Sequence, residues 1–299
     1  RGGVFRRAIG SCRAVDGVSL SIKRGQTFGL VGESGCGKST LAKSIVGLVT
    51  PTSGSIFFQG NELNSNLLTP EYRKSVQMVF QDPFESLNAR MTVGAILEEP
   101  LVIHRLCGKH ERSKRVAKLL KQVGLPESAA KRYPFEFSGG QRQRIGVARA
   151  LALEPELLVL DEPVSALDVS VQSQVLNLLM DLQDQLGLTY FLIAHDLAVV
   201  RHISDVIAVM YLGKIVEVGP AKDIYANPVH AYTKALLSSI PIPDPSAKKK
   251  RILIPGDVPS PINPPKGCAF GNRMNSPNYL TSVDQELKME KVGAGHWVL

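Results

Sequence analysis

A glycine-rich stretch that contains one lysine and neighbouring hydroxyl side chains gives the first indication of chemistry. Residues 32–40 read Gly-Glu-Ser-Gly-Cys-Gly-Lys-Ser-Thr, and the first eight fit the phosphate-binding pattern G-x-x-x-x-G-K-[ST]. Glycines let backbone N–H groups approach phosphate oxygens, and a helix that follows adds positive potential. The lysine would contact the β- and γ-phosphates, and the serine hydroxyl would bind Mg²⁺. The predicted nucleotide-binding residues are Gly32, Glu33, Ser34, Gly35, Cys36, Gly37, Lys38, Ser39 and Thr40.

Two adjacent carboxylates follow a short apolar run. Leu157–Leu160 predicts a buried strand, and Asp161 and Glu162 come directly after it. Open α/β sheets bind ligands at the carboxyl ends of their strands. Asp161 is therefore predicted to bind the metal ion and Glu162 to act as a general base on the attacking water. An isolated Asp-Glu pair is more typical of a turn at a strand end, but the phosphate loop favours the catalytic interpretation.

A short polar segment precedes a basic helix. Residues 138–141 read Ser-Gly-Gly-Gln, and Ser138 with Gln141 fits a capping box for a helix over Gln141–Leu153. A capped helix N-terminus that carries Gly139 and Gly140 is also a good place to hold a γ-phosphate. The two interpretations are compatible.

The elements that position these residues follow from hydrophobic periodicity and turn residues. Strands are predicted at Thr27–Val31, Thr52–Gly60 (with a turn), Val76–Phe80, Leu157–Leu160 and Thr189–Ala194, with a hairpin of Val206–Tyr211 and Lys214–Val218 about Gly213. Helices are predicted at Lys38–Leu48, Arg112–Val123 and Gln141–Leu153, and at Val171–Leu186 with Gly187 closing it. Strands that alternate with helices predict an α/β fold with a mostly parallel sheet.

Three regions differ in character along the chain. Residues 1–81 and 154–227 are expected to form the nucleotide-binding α/β core. Residues 82–153 lack a convincing strand pattern and predict an inserted helical subdomain. Residues 228–299 predict a proline-rich C-terminal appendage, because eight prolines within residues 240–265 disfavour both helix and central strand.

Composition sets limits on the class of protein. The chain has 299 residues, 44% of them hydrophobic, and no apolar run approaches the roughly 18 residues that span a bilayer. Four scattered cysteines argue against a disulfide scaffold or a zinc site and favour a reducing cytoplasm. Because the sequence begins with Arg1, we expect the native chain to start upstream.

The formal net charge is +8, and basic residues concentrate in three clusters at Arg1–Arg24, Arg105–Lys121 and Lys248–Arg251. Solvated surface is the simplest interpretation, and attraction to anionic lipid head groups is the alternative. No nucleic-acid partner is expected, because no aromatic residues are interleaved with the charges.

The phosphate loop, Ser138–Gln141, Asp161-Glu162 and His195 together resemble the ATP-hydrolysing subunit of an ATP-binding-cassette (ABC) transporter. The resemblance implies the fold of a P-loop NTPase ABC ATPase domain, with ATP and Mg²⁺ as cofactors. It also implies that Ser138–Gln141 contacts the ATP held by an opposite subunit. His195 would contact the γ-phosphate and orient the attacking water and Glu162.

Further site residues follow from the same resemblance. Gln81 matches the Q-loop glutamine, which contacts the metal and the attacking water, and Ser165–Asp168 matches the D-loop at the dimer interface. The predicted metal ligands are therefore Ser39, Gln81 and Asp161. Gln81, Asp168 and His195 each have a structural alternative: an unremarkable strand-end glutamine, a helix N-cap and a satisfied structural histidine, respectively. Phe5 is the nearest candidate for stacking on adenine, with an exposed loop aromatic as the alternative.

Other segments resemble the second ATPase subunit of a bacterial dipeptide/oligopeptide importer. These are Gly2–Arg7, Phe137 in place of the usual leucine before Ser138, and the run Gly256–Pro265. Nickel and glutathione importers share this kind of appendage, so they remain alternatives. Cys268 is the one cysteine left of a set that holds an iron–sulfur cluster in some relatives, and Met274 stands where another is expected. We therefore expect no cluster.

The resemblance also implies partners and location. We expect a second, non-identical ABC ATPase subunit, two membrane permease subunits and, indirectly, an extracellular peptide-binding protein. The chain would sit peripherally on the cytoplasmic face of the plasma (inner) membrane. A soluble ABC protein of translation or repair is an alternative, although those carry two cassettes or a long coiled coil. Assignment as a kinase or GTPase would not explain Ser138–Gln141. Assignment as an exporter ATPase would not explain the proline-rich appendage.

Overall fold

The computed structural model describes residues 11–63, 69–240, 251–277 and 279–299, and their strands and helices are as follows. The strands are β1 (Thr27–Val31), β2 (Ile56–Phe58), β3 (Asn61–Leu63), β4 (Val76–Val79), β5 (Leu157–Asp161), β6 (Thr189–Ala194), β7 (Val206–Tyr211), β8 (Lys214–Pro220), β9 (Glu290–Gly293) and β10 (His296–Val298). The helices are α1 (Lys38–Ile45), α2 (Pro70–Ser75), α3 (Pro83–Ser86), α4 (Val93–Ile103), α5 (Lys109–Gln122), α6 (Gly139–Leu151), α7 (Val169–Leu186), α8 (Leu197–Ile203), α9 (Ala221–Ala226), α10 (Ala231–Ser238), α11 (Ala269–Arg273) and α12 (Tyr279–Ser282). Among the described helices, none combines the length and the apolar character needed to cross a bilayer.

The chain divides into two compact units. The first contains the described residues of Arg1–Ser21, Phe28–Leu41 and Ala194–Leu299. The second contains the described residues of Ile22–Thr27 and Ala42–Ile193. Each unit has its own strands and its own buried apolar side chains.

The first unit is built on strands that continue into a C-terminal extension. β1 pairs with β7 in parallel, and β7 and β8 form the predicted hairpin about Gly213. β10 then pairs antiparallel with β8, and β9 pairs antiparallel with β10. Neither β9 nor β10 was predicted from the sequence, because both are short and carry no periodic apolar pattern.

The second unit is built on three parallel strands, β4, β5 and β6, in that order. All residues of β5 and β6 are buried, which explains why both read as continuous apolar runs. Helices α3 to α6 and two 3-10 turns, at Glu127–Lys131 and Pro134–Glu136, lie between β4 and β5. No strand lies within residues 82–153, whose whole backbone is described.

Local sequence signals set most helix ends. α1 stops at Ile45, three residues before the predicted end, and Gly47 beyond it has a φ of 77° that breaks the helix. α7 ends as predicted at Gly187, whose φ is 65° and whose N–H donates to the Gln183 carbonyl. Ser138 is the N-cap residue of α6.

A buried carboxylate holds the end of the first unit together. Glu217 on β8 is fully buried. Its Oε1 accepts a hydrogen bond from the Val229 N–H (2.8 Å) and its Oε2 from the His230 N–H (3.0 Å). Nε2 of His296 on β10 lies 2.8 Å from Glu217 Oε1. One carboxylate therefore joins β8 to β10 and to the segment before α10.

We expect Glu217→Ala to lower the free energy of unfolding by about 2 kcal/mol, because each buried donor left without an acceptor costs about 1–3 kcal/mol. Urea denaturation of the full chain measures the change. Glu290→Ala on β9 is the matched control: its side chain is exposed, and we expect a change within about 0.5 kcal/mol. Equal stability of the two variants would contradict this role for Glu217.

Candidate functional site

The glycine-rich loop lies between β1 and α1, as the sequence predicts. Every residue of β1 is buried, and Lys38 begins α1. The lysine is 5% exposed, and its Nζ donates to the carbonyls of Gly32 (2.8 Å) and Glu33 (3.0 Å). These bonds keep a positive charge beside the loop backbone, where the sequence analysis places phosphate.

The loop tolerates no side chain at Gly37. This residue has a φ of 112°, and a Cβ there would lie 1.9 Å from the carbonyl oxygen of Ala14. The neighbouring Cys36 is buried, and its carbonyl accepts a hydrogen bond from the Gly213 N–H (2.8 Å). Burial raises the pKa of the Cys36 thiol, although the nearby Lys38 ammonium opposes the shift, so the group stays protonated at neutral pH.

His195 also lies in the first unit, directly after β6. Its side chain is exposed. The next residue, Asp196, is the N-cap of α8, and its Oδ1 accepts a hydrogen bond from the Ala198 N–H (2.7 Å). The strand end and the capped helix fix the backbone on both sides of His195.

The second unit brings Asp161, Glu162 and Gln81 to one place. Asp161 is the last residue of β5 and is 5% exposed. Glu162 follows with a φ of 46°, and its N–H donates to the Ile193 carbonyl (3.0 Å). The side-chain Nε2 of Gln81 donates to Glu162 Oε2 (2.9 Å). Both residues are predicted from the sequence, but the bond between them is not.

The left-handed backbone of Glu162 is costly. For a residue with a side chain this conformation costs about 1–2 kcal/mol. Strain of this kind persists where surrounding structure imposes it, and it concentrates at functional sites. The bond from the Glu162 N–H to Ile193 constrains the backbone, and the bond from Gln81 constrains the direction of the carboxylate.

A cavity of about 960 Å³ opens beside these residues in the second unit. Gln81, Asp161, Phe80, Glu99 and Arg149 are among its lining residues. Arg149 is held by a hydrogen bond from its Nη1 to the Ser86 carbonyl (2.5 Å). Two of the predicted metal ligands, Gln81 and Asp161, therefore border a large space rather than a closed core.

The predicted capping box at α6 is confirmed. The Ser138 N–H donates to Gln141 Oε1 (3.1 Å), and the Gln141 N–H donates to Ser138 Oγ (3.4 Å). Ser138 is exposed and Gly140 is buried. A Cβ on Gly140 would lie 2.3 Å from Cγ1 of Val171 on α7, so any larger residue would displace Val171 where the two helices meet.

Asp168 and Phe5 are the remaining predicted site residues. Asp168 occupies the N-cap position of α7, but its exposed side chain makes no capping hydrogen bond within this fully described helix. Phe5 lies outside the described residues, so adenine stacking stays a prediction. The described residues contain no cluster of three or more His, Cys, Asp or Glu side chains suited to a metal ion.

Comparison with known proteins fixes the family. The ABC transporter family model matches residues 15–165. The chain belongs to the ABC transporter family. A second model, for the oligopeptide/dipeptide transporter C-terminal region, matches residues 216–275 of this ABC protein. The predicted resemblance to the ABC and peptide-transporter families is therefore confirmed.

Relatives of this ABC protein agree over most of its length. It is 55% identical to the oligopeptide transport ATP-binding protein AppF of Bacillus subtilis (strain 168), over 91% of this chain and 84% of the relative. It is 52% identical to the dipeptide transport ATP-binding protein DppF of Haemophilus influenzae, over 87% of this chain and 80% of the relative.

Solved structures support the fold and the activity. CbiO1 from Clostridium perfringens, part of the ABC transporter complex cbiONQ, is 31% identical, with a TM-score of 0.65 over 72% of this chain and 84% of that one. The ATP-binding cassette MJ0796, in a post-hydrolysis state bound to ADP and Pi, is also 31% identical, with a TM-score of 0.62 over 70% of this chain and 90% of that one. The predicted α/β fold of a P-loop ABC ATPase that binds and hydrolyses ATP is confirmed.

Two contacts of the phosphate loop with the C-terminal region were not predicted from the sequence. Glu33 of the phosphate loop contacts Tyr232 and Arg273, about 200 and 240 positions later in the chain. Neither residue belongs to a recognisable motif, and no local pattern in the sequence points to the contact.

Proposed function

We propose that this ABC ATPase powers a bacterial importer for di- and oligopeptides. The observation that carries the proposal is the match of residues 216–275 to the C-terminal region of oligopeptide/dipeptide transporters. That region lies outside the nucleotide-binding motifs, so its match bears on the class of transporter. The names of the relatives at 52–55% identity point the same way. Import of nickel or glutathione is the alternative.

We propose that the loop Gly32–Thr40 holds the phosphates of ATP through backbone N–H groups and Lys38. Ser39, Gln81 and Asp161 would hold Mg²⁺, and their hydroxyl, carboxamide and carboxylate oxygens are the hard ligands that this ion prefers. When bound, Mg²⁺ neutralises charge on the β- and γ-phosphate oxygens. The remaining contribution of the protein is position and charge.

Glu162 is proposed as the general base. A base must be aimed at the water that it activates, and the Gln81 hydrogen bond and the left-handed backbone hold the Glu162 carboxylate in one direction. His195, on a backbone fixed by β6 and α8, is proposed to contact the γ-phosphate and orient the same water.

The second ATP contact would come from a partner ATPase subunit. Ser138, Gly139, Gly140 and Gln141 form an exposed, capped helix N-terminus that suits a γ-phosphate held by the partner. The exposed Asp168 would lie at the same interface. The dimeric MJ0796 structure supports a two-subunit arrangement. We propose a non-identical partner, by analogy with importers that have two ATPase subunits.

Two membrane permease subunits are the proposed partners of the helical subdomain, residues 82–153. Exposed apolar side chains support a protein contact on this part of the second unit: Phe84, Val102, Ile103, Tyr133 and Phe135. The chain would then lie on the cytoplasmic face of the plasma membrane. Peptide would reach the permeases from an extracellular binding protein. Residues 1–81 with 154–227 would be the nucleotide-binding core, and 228–299 the appendage.

Uptake in cells tests the proposed substrate class. A strain that lacks this gene is supplied with labelled dipeptide, labelled oligopeptide, ⁶³Ni²⁺ or labelled glutathione, with and without a plasmid that encodes the chain. We expect the wild-type plasmid to restore peptide uptake and the Glu162→Gln plasmid to leave it at background. Restoration of nickel or glutathione uptake alone would reject peptide import in favour of that substrate.

A further inference from the structure

An arginine of the C-terminal region reaches into the phosphate loop. Arg273 is the last residue of α11, and its Nη1 lies 2.8 Å from Glu33 Oε2. Its Nε donates to the Pro255 carbonyl (3.2 Å) and its Nη2 to the Gly256 carbonyl (2.9 Å). The Arg273 side chain is 8% exposed. All three guanidinium nitrogens are thus engaged, and the charge is held in one position against Glu33.

A tyrosine from α10 fixes the same loop residue. The Glu33 N–H donates to the Tyr232 hydroxyl oxygen (3.0 Å), and that hydroxyl lies 3.4 Å from Glu33 Oε2. Tyr232 is fully buried and packs against Tyr211 and Phe270, with ring centroids 4.7 and 5.3 Å away. Burial raises the pKa of Tyr232, so its hydroxyl stays neutral and can both accept from Glu33 and donate to it.

The charge of Glu33 matters because of where its backbone lies. Glu33 is the second residue of the phosphate loop, and its carbonyl accepts a hydrogen bond from the Lys38 ammonium. A carboxylate beside a loop that binds triphosphate repels the ligand unless a positive charge offsets it. Arg273 supplies that charge, and the Glu33 side chain is only 28% exposed, so solvent screens the pair incompletely.

We propose that Arg273 is a positioning residue for nucleotide binding, acting through Glu33. The C-terminal region, by this inference, neutralises the one carboxylate of the phosphate loop and fixes the loop backbone beside it. The inference rests on the proposed role of Gly32–Thr40 in holding ATP phosphates. It gives the appendage a part in ATP affinity, separate from any part in peptide transport.

ATP affinity of the purified full chain tests the proposal, measured with a fluorescent ATP analogue and Mg²⁺. We expect Arg273→Ala to raise the Kd about fivefold, as loss of a partly exposed ion pair implies. Arg273→Lys keeps the positive charge, and we expect its Kd within about twofold of wild type. Adding Glu33→Gln to Arg273→Ala removes the unpaired carboxylate, and we expect the double variant to recover to within about twofold of wild type.

Recovery of ATP affinity in the double variant distinguishes this role from a general loss of structure. A chain whose C-terminal region is damaged would bind ATP weakly with either glutamate or glutamine at position 33. Arg251→Ala, at an exposed arginine of the same region, is the matched control and should bind like wild type. A wild-type Kd in Arg273→Ala, or a double variant as weak as the single, would overturn the inference. Failure of the wild-type chain to bind ATP would instead reject the proposal that Gly32–Thr40 holds the phosphates of ATP, on which this inference rests.

Discussion

Replacing Glu162 by glutamine is expected to leave ATP binding intact and to lower the rate of ATP hydrolysis about 1000-fold. The amide oxygen of the new side chain can still accept the hydrogen bond from Gln81, so the local geometry is preserved. What is lost is the ability to take a proton from water. Phosphate release by the purified full chain, with the proposed partner subunit added, measures turnover, and a fluorescent ATP analogue measures affinity.

Glu154→Gln provides a control that matches both the chemistry and the backbone. Glu154 also has a left-handed φ, 53°, and its side chain is exposed in the same unit. We expect that variant to hydrolyse ATP within about twofold of wild type, as for a surface change. Near-normal turnover in Glu162→Gln would reject Glu162 as the base and leave the rest of the site unaffected.

Lys38→Met is expected to raise the Kd for ATP about 100-fold, an effect on binding rather than on turnover. The Lys38 ammonium lies beside the loop backbone, where it can exchange its bonds to Gly32 and Glu33 for bonds to phosphate oxygens. Hydrogen bonds to charged groups contribute about 1.5–3 kcal/mol each, and methionine retains the apolar stem without the charge. Titration of the full chain with the fluorescent analogue gives the Kd.

Lys43→Met tests whether loss of any lysine on this helix has the same effect. Lys43 lies on α1, five residues after Lys38, and is exposed. Its replacement removes the same charge from the same helix, and we expect a Kd within about twofold of wild type. If both variants lost affinity equally, the effect would belong to the net charge of the chain rather than to the loop.

Features determined by neighbouring residues could be predicted from the sequence. The phosphate loop, the Ser138–Gln141 capping box and the end of α7 at Gly187 each depend on a few consecutive positions. β5 and β6 could also be predicted, because strands buried on both faces appear in the sequence as continuous apolar runs. The order of these motifs along the chain was enough to indicate the ABC family.

Features that depend on distant parts of the chain could not be predicted in the same way. The bond from Gln81 to Glu162 joins residues 81 positions apart, and the pair of Arg273 and Glu33 joins residues 240 positions apart. The left-handed backbone of Glu162 gives no signal either, since glutamate is not a residue that favours it. β10 was missed because its pairing with β8, rather than its own pattern, makes it a strand.

The close approach of α6 and α7 has a mechanical consequence. A Cβ would meet Val171 at 2.3 Å from Gly140 and Leu167 at 3.2 Å from Gly139, so the starts of the two helices are tightly packed. Ser138 and Asp168, which precede those helices, are therefore expected to shift together rather than separately. Movement of the residue before one helix would therefore be felt by the residue before the other, through the contact of Gly140 with Val171.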